Sequence, residues 1–214
     1  MPKHIAVITS GGDVPGLNAC IRAIVHAAQH EGVAVSGVRH GYDGLMRGEI
    51  MPLNTDSVHD IMQRGGTILH SARSKRFETA EGREAAAKAL KKTTIDSLIV
   101  IGGDGSLTGA GLFAAEHALS IIGIPKTIDN DVTGTDTCIG YDTAVNTAMQ
   151  ALDRIRDTAD SHERMFVIEV MGRYAGWIAL EAGLAGGADV ILLPEIPFKW
   201  ESVMRRVIER STRG

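Results

Sequence analysis

The sequence predicts an α/β fold that is doubly wound, with a mainly parallel sheet covered by helices on both faces. Short segments that are apolar throughout alternate with longer helix-like segments along the 214 residues. Strands that are apolar on both sides are typical of parallel sheets buried between helices. Glycine is also abundant, with 25 residues, and its clusters follow predicted strands, which is where such sheets bind ligands.

The elements of the first domain follow this alternation in order. The run HIAVIT at residues 4–9 predicts a buried strand, and a glycine turn leads from it into a helix over 16–31. The later aliphatic runs are short, and they predict strands over 33–38, 67–69, 95–101 and 120–124. The segments between them predict helices over 55–63, 80–92 and 105–117. A helix between two parallel strands gives a right-handed crossover.

The second domain is predicted to begin at the polar loop 139–142. Chain length and this loop together predict two domains, residues 1–139 and 140–214. Beyond the loop, the pattern predicts helices over 142–157, 175–184 and 201–210, with strands over 165–170 and 190–193.

Composition excludes several classes of partner. The net charge is −4, from 22 Lys and Arg against 26 Asp and Glu, so we expect neither a nucleic-acid nor a membrane partner. No apolar run approaches the ~18 residues of a membrane span, and the N-terminus leads straight into the first strand instead of a signal peptide. The two cysteines, Cys20 and Cys138, form no CxxC pair. We therefore expect a cytoplasmic protein with reduced thiols.

Two glycine-rich turns predict a phosphate site. TSGGDVPGLN at 9–18 joins the first strand to its helix, and IGGDGS at 101–106 does the same for a later strand. Glycine lets backbone amides approach a ligand, and a helix N-terminus favours phosphate. Asp104 offers a carboxylate for Mg²⁺. Taken alone, the first turn also fits an ordinary tight connection, and Asp104 also fits a helix cap.

Two further segments carry charged groups suited to phosphoryl transfer. PKTIDND at 125–131 places Asp129 and Asp131 two residues apart at a strand end, which suits a general base and a partner facing a metal. EVMGRY at 169–174 places Arg173 past a strand and at a helix start, where a guanidinium can meet a phosphoryl group. Alone, the first segment also fits a solvated turn and the second a structural strand end.

The whole chain resembles the phosphofructokinase family, because its motifs occur in that family's order and spacing. These motifs are SGGD at 10–13, RGGT at 64–67, SAR at 71–73, GGDGS at 102–106, PKTIDND at 125–131, GYDTA at 140–144 and MGR at 171–173. The resemblance implies two Rossmann-like domains. It also implies phosphoryl transfer from ATP or pyrophosphate to the 1-hydroxyl of fructose 6-phosphate, with Mg²⁺. The first domain would hold the donor and the metal, and the second the sugar phosphate.

The resemblance also implies roles for individual residues. Asp129 looks like the base and Arg173 like a transition-state cation, with Lys126, Thr127 and Asp131 beside them. Asp104 looks like the metal ligand. The implied donor-binding residues are Gly11, Arg73, Ser74, Gly103, Asp104, Gly105 and Ser106. The implied sugar-phosphate contacts are Thr127, Ile128, Asp129, Arg164, Met171, Gly172 and Arg173. Arg164 would reach across an interface of a homo-oligomer.

Two positions bear on the choice of donor. ATP-using relatives usually have glycine at both, whereas pyrophosphate users have Asp and Lys, and this chain combines Gly105 with Lys126. Gly105 leaves space for an α-phosphate that an Asp carboxylate would crowd and repel, while Lys126 adds only a cation. We therefore expect ATP as donor, with pyrophosphate as the alternative.

The resemblance implies a longer protein, since family members continue past residue 214 with further sugar ligands and strands. We therefore expect the second domain to be incomplete, and a non-catalytic family member is a further alternative. The presence of Asp104, Asp129 and Arg173 argues against it. NAD and lipid kinases that share GGDG are a third alternative, which MGR at 171–173 and TID at 127–129 disfavour.

Overall fold

The chain divides into two compact units. The computed structural model describes residues 2–213. Unit 1 comprises Met1–Thr127 and Val132–Gly140, and unit 2 comprises Ile128–Asp131 and Tyr141–Gly214.

A five-stranded sheet forms the centre of unit 1. Its strands are β1 (His4–Ser10), β2 (Ala34–Val38), β3 (Ile50–Leu53), β4 (Ser97–Gly102) and β5 (Ser120–Pro125), in the order β3-β2-β1-β4-β5. β1 pairs in parallel with β2 and β4, and β4 with β5, whereas β3 is antiparallel to β2. The prediction of a mainly parallel α/β sheet is therefore confirmed.

Strand register brings three predicted motifs to one edge of the sheet. Ser10 at the end of β1 is paired with Gly102 at the end of β4, and Gly102 is paired with Pro125 at the end of β5. The two glycine-rich turns and the PKTIDND segment consequently begin side by side at carboxyl ends of adjacent parallel strands, as expected for ligand binding in this fold.

Four α-helices and a short 3-10 helix accompany this sheet in the described part of unit 1. They are α1 (Leu17–His30), α2 (Gly41–Arg47), the 3-10 helix Arg76–Glu78, α3 (Ala80–Leu90) and α4 (Asp104–His117). Strand residues such as Ile8 and Val100 pack with Phe113 of α4 and Phe77 of the 3-10 helix in one buried cluster. The ring of Phe113 meets that of Phe77 edge to face at 5.3 Å, which suits an aliphatic core with few aromatics.

Two short elements predicted in unit 1 are wrong. Residues 55–63 form turns instead of a helix, because Asn54 and Ser57 bond to each other's backbone and side chain at 2.7–2.9 Å. Such local bonds compete with helix formation. Residues 67–69 form no strand, because the Ile68 amide donates to the side chain of buried Asn18 at 2.8 Å and not to a neighbouring strand.

Unit 2 is helical in the part that the structure describes. Its helices are α5 (Tyr141–Ser161), α6 (Trp177–Ala185) and α7 (Trp200–Arg213). The strands predicted at 165–170 and 190–193 do not form among the described residues, because a strand needs a hydrogen-bonded neighbour and these segments have none there. Val167 is 88% exposed as a result. Within residues 2–213, no helix combines the length and apolar character needed to cross a membrane.

Candidate active site

The turn after β1 brings backbone close to two polar side chains. Gly11 has φ +92°, a conformation that favours glycine. A Cβ at this position would lie 3.3 Å from Lys126 Nζ and 3.4 Å from Ser106 Oγ. The Gly11 amide donates to the Ala72 carbonyl at 3.2 Å, and the Gly11 carbonyl accepts from Ser71 Oγ at 2.9 Å. The turn is therefore held in place, and its backbone packs closely against Lys126 and Ser106.

The turn after β4 leads directly into α4. The helix begins at Asp104, one residue before the predicted start, and Asp104 is exposed in its first turn. Ser106 Oγ donates to Ser10 Oγ at 2.9 Å and thereby ties this turn to the end of β1. A Cβ added to Gly105 would meet no heavy atom within 4 Å. The start of α4 thus presents backbone amides and open space, an arrangement suited to phosphate.

Lys126 is a buried cation facing the first turn. Its side chain is 3% exposed, and Nζ donates to the Gly12 carbonyl at 2.5 Å. Burial lowers the pKa of this ammonium, and the charge of Arg73 lowers it further, whereas Asp13 opposes both. The sequence alone suggested only an added charge, but the structure shows a fixed one at the wall of the turn.

The remaining donor residues lie beside α2. Arg73 is exposed and directly follows Ala72, which forms an isolated β-bridge with Ser10. Ser74 Oγ donates to the Asp43 carboxylate and accepts from the Phe77 amide at 3.2 Å.

Sequence reasoning missed Tyr42 because it did not predict α2. The Tyr42 hydroxyl donates to the Ser106 carbonyl at 2.8 Å and so fixes the first turn of α4. Its ring is buried and stacks on Phe77 with centroids 3.6 Å apart. The glycine-rich sequence HGYDGLMRG at 40–48 is typical of a turn. The feature that points to Tyr42 is an aromatic residue just past the end of β2 in a chain with few aromatics.

The two carboxylates of the PKTIDND segment belong to unit 2. Asp129 is half-buried and Asp131 is exposed. Burial raises the pKa of the Asp129 carboxyl, and the like charge of Asp131 adds to the rise. Between them, Asn130 has φ +50°, a left-handed conformation that Asn tolerates better than most residues. A carboxylate with a raised pKa is a stronger proton acceptor, which suits a general base.

Of the other predicted sugar-site residues of unit 2, Arg164, Met171 and Arg173 are exposed, whereas Ile128 and Gly172 are partly buried. Arg164 follows α5, and its amide donates to the Ala159 carbonyl at 3.0 Å. Gly172 has φ +123°, and a Cβ there would lie 2.4 Å from the Ala175 carbonyl oxygen, so the turn requires glycine. The Arg173 guanidinium lies 5.1 Å from the centre of the Tyr174 ring. Arg173 follows no strand and precedes α6 by four residues, contrary to its predicted position between a strand and a helix start.

The residues near the glycine turns suit Mg²⁺ only as an open site, in which the protein supplies few of the ligands. Among the described residues, no three His, Cys, Asp or Glu side chains are grouped to hold a metal ion. Mg²⁺ is commonly bound by one or two carboxylates together with substrate phosphates and water. The single exposed carboxylate of Asp104 at the start of α4 fits that pattern and does not fit a closed protein cage.

The predicted residues divide between the units. In unit 1 the structure brings together Gly11, Lys126 and the turn 103–106, with Arg73 within electrostatic range of Lys126. In unit 2 it brings together Asp129 and Asp131. Glycine turns, a helix start and cations at the carboxyl edge of a parallel sheet are typical of α/β proteins that bind phosphate groups.

Comparison with known proteins identifies the family. The family model described as Phosphofructokinase matches residues 4–214, and the chain belongs to this family. It is 56% identical over 211 residues to an ATP-dependent 6-phosphofructokinase 1 of Thermus thermophilus, covering 99% of this chain and 65% of that protein. It shares 53% identity over 212 residues with an ATP-dependent 6-phosphofructokinase of Thermotoga neapolitana, covering 99% of this chain and 66% of that protein.

Solved structures show the same fold. Phosphofructokinase from Saccharomyces cerevisiae superposes with a TM-score of 0.92 at 43% identity, covering 99% of this chain and 32% of that one. The chain thus spans slightly less than two thirds of the curated relatives that it matches first, and a smaller share of this structural neighbour.

Proposed function

We propose that this chain acts as an ATP-dependent 6-phosphofructokinase. It would transfer the γ-phosphoryl group of ATP to the 1-hydroxyl of fructose 6-phosphate, giving fructose 1,6-bisphosphate and ADP. The observation that carries the proposal is the open space at Gly105, beside the turn walled by Gly11 and Ser106. The relatives named above as ATP-dependent support the same donor.

Asp129 would act as the general base. Its carboxylate takes the proton of the 1-hydroxyl while that oxygen bonds to the γ-phosphorus, and the bond from the γ-phosphorus to the bridging oxygen breaks. The raised pKa of Asp129 supports this role. Arg173 would offset negative charge on the transferring group, with Thr127 and Asp131 beside the base. Asp104 would hold Mg²⁺ together with the donor, and the ion would neutralise charge on the phosphates.

A pyrophosphate-dependent enzyme is the second candidate, and one observation favours it. Lys126 is buried at the wall of the first turn, where its charge is fixed and desolvated. Pyrophosphate has no adenosine to add binding contacts, so a fixed cation matters more for it. Cytoplasmic location and a homo-oligomer with Arg164 crossing an interface stay predictions.

Steady-state kinetics with both donors test the choice between them. We expect Gly105→Asp to lower kcat/KM for ATP by about tenfold or more, equivalent to ~1.4 kcal/mol, and to leave pyrophosphate use nearly unchanged. Gly111→Asp is the matched control, because Gly111 lies in the same helix with no heavy atom near its added Cβ. A wild-type chain that prefers pyrophosphate would overturn the ATP assignment.

Two substitutions of Lys126 separate its charge from its volume. Lys126→Met keeps most of the buried side chain, whereas Lys126→Gly leaves a cavity beside Gly12. We expect both to weaken phosphate binding without reversing donor preference. If Lys126→Met alone reverses the preference, the cation decides the donor and Gly105 does not.

Asp129→Asn tests the base. We expect kcat to fall by a factor on the order of 10² to 10⁴, while Asp153→Asn on exposed α5 has no such effect. ATP binding is measured by calorimetry on the same proteins. A chain that binds ATP and turns over no substrate would support the non-catalytic alternative and overturn the catalytic proposal.

A further inference from the structure

A pocket rich in basic side chains lies between α2 and the start of the 3-10 helix in unit 1. It is an open depression with a volume of about 520 Å³, which is within the size range of small-molecule sites. We call it the basic pocket, and its lining is Asp43, Met46, Arg47, Arg73, Lys75 and Arg76. Among these residues, only Arg73 belongs to the predicted donor-binding set.

Most of the positive charge in the basic pocket is uncompensated. Arg47 forms an ion pair with Glu49, in which Arg47 Nε lies 2.6 Å from Glu49 Oε1. The Asp43 carboxylate accepts a hydrogen bond from Ser74. The ion pairs found within the described residues include none with Arg73, Lys75 or Arg76. Three exposed cations therefore converge in a chain whose net charge is −4.

The backbone that carries these cations is fixed on several sides. The Phe77 ring stacks on Tyr42 of α2 at 3.6 Å. The Arg83 guanidinium donates to the carbonyls of Phe77 at 3.2 Å and Glu78 at 2.8 Å. Ser74 joins the segment to α2 through Asp43. A wall that is already ordered costs less free energy to bind a ligand than a mobile one.

Arg73 connects the basic pocket to the proposed donor site. It lines the pocket and directly follows Ala72, whose carbonyl accepts a hydrogen bond from the Gly11 amide at 3.2 Å. A row of exposed basic residues, Arg73, Lys75 and Arg76, thus follows the residue that bonds to the first glycine turn.

The ligand that matches this row carries negative charge along its whole length. The adenosine of ATP is uncharged beyond the α-phosphate, so it has nothing to pair with Lys75 and Arg76. We propose that the basic pocket binds the trailing phosphates of linear inorganic polyphosphate, whose leading phosphates occupy the turns at Gly11 and 103–106. This inference rests on the donor site of the proposed function.

Calorimetric titration of the chain with pyrophosphate, tripolyphosphate, a longer linear polyphosphate and ATP tests the inference. We expect affinity to rise with the length of the inorganic chain and polyphosphate to displace ATP. The double variant Lys75→Gln/Arg76→Gln is expected to weaken polyphosphate binding about tenfold or more and ATP binding by less than about threefold. The exposed pair Lys91→Gln/Lys92→Gln removes the same charge elsewhere in unit 1.

Each outcome decides one point. The inference is overturned if affinity does not change with the length of the inorganic chain, or if the two double variants lose polyphosphate affinity equally. The proposed function still stands in that case, provided that the chain binds ATP. Failure of ATP and pyrophosphate alike to bind would overturn the proposed function itself. If adenosine tetraphosphate gains affinity through Lys75 and Arg76 and inorganic chains do not, the occupant is a nucleotide and the inference is wrong.

Discussion

Similar apolar runs have opposite outcomes in the two units. SLIVIG in β4 lies between β1 and β5, pairs with both and is largely buried. MFVIEV at 165–170 is also mainly apolar, yet it forms no strand among the described residues, and Met165 is 64% exposed. The difference shows that a strand depends on its neighbours as much as on its own sequence, because each backbone amide and carbonyl needs a partner.

Hydrogen exchange gives the largest expected contrast between these segments. Central-strand amides of β4 open only with extensive unfolding, whereas in the described part of the chain the amides of 165–170 donate no backbone hydrogen bond. We expect β4 amides to exchange more slowly, relative to unstructured peptides, by a factor of at least about 10³. Mass spectrometry of peptides from the two segments measures this directly.

The amides of α4 serve as an internal reference, because helix hydrogen bonds protect them without a strand neighbour. Comparable protection of 165–170 and β4 would show that the segment has found a strand partner in solution, and the contrast would be lost.

A matched pair of phenylalanines extends the comparison to side chains. Phe113 is fully buried against Phe77, while Phe166 in unit 2 is 44% exposed. We expect Phe113→Ala to lower the free energy of unfolding by about 3–5 kcal/mol, through lost burial and a cavity. Phe166→Ala is expected to cost about 1 kcal/mol or less. Urea unfolding followed by circular dichroism measures both.

The probes can also separate the units. Both tryptophans, Trp177 and Trp200, lie in unit 2, so their fluorescence reports on that unit. A fluorescence transition that moves less than the dichroism transition in Phe113→Ala is the expected result. Equal losses of unfolding free energy in Phe113→Ala and Phe166→Ala would mean that the 165–170 segment is as well packed as the sheet core.

The sequence predicts β1, β2, β4 and β5 to within two residues because each is a short, mainly aliphatic run, but it does not predict the antiparallel edge strand β3. It does not predict α2, whose glycines favour turns, although the helix is held by tertiary contacts such as that of Tyr42 with Ser106. Nor does it predict the turn at 67–69, where the buried side chain of Asn18 replaces a strand partner. In both cases distant residues override local preference.

The candidate site is predictable from the sequence where its features belong to the backbone. Glycine turns after β1 and β4 follow from local sequence, and the structure shows the open space expected at Gly105. The burial of Lys126 and its bond to Gly12 join residues more than a hundred positions apart. No local pattern contains that distance, so the sequence gives the charge of Lys126 without its fixed position.

The smallest expected effect on stability concerns the charged cluster of His40, Arg47 and Glu49 in unit 1, compared with an ion pair of unit 2. Hydrogen bonds from Arg47 and then His40 lower the pKa of the Glu49 carboxyl from its ordinary value of 4.5 to about 2. A carboxyl whose pKa is lowered by folding adds stability above its unfolded pKa and loses it as pH falls toward the folded value. The loss should therefore develop between pH 4.5 and about 2.

We expect Glu49→Gln to lower the urea midpoint slightly at neutral pH and to converge with wild type as pH falls through this window. Asp160→Asn is the control in unit 2, since Asp160 lies 3.6 Å from Arg210 in an exposed pair, which contributes little. A Glu49→Gln difference that stays constant with pH would show that the cluster stabilises unit 1 by packing and not by charge.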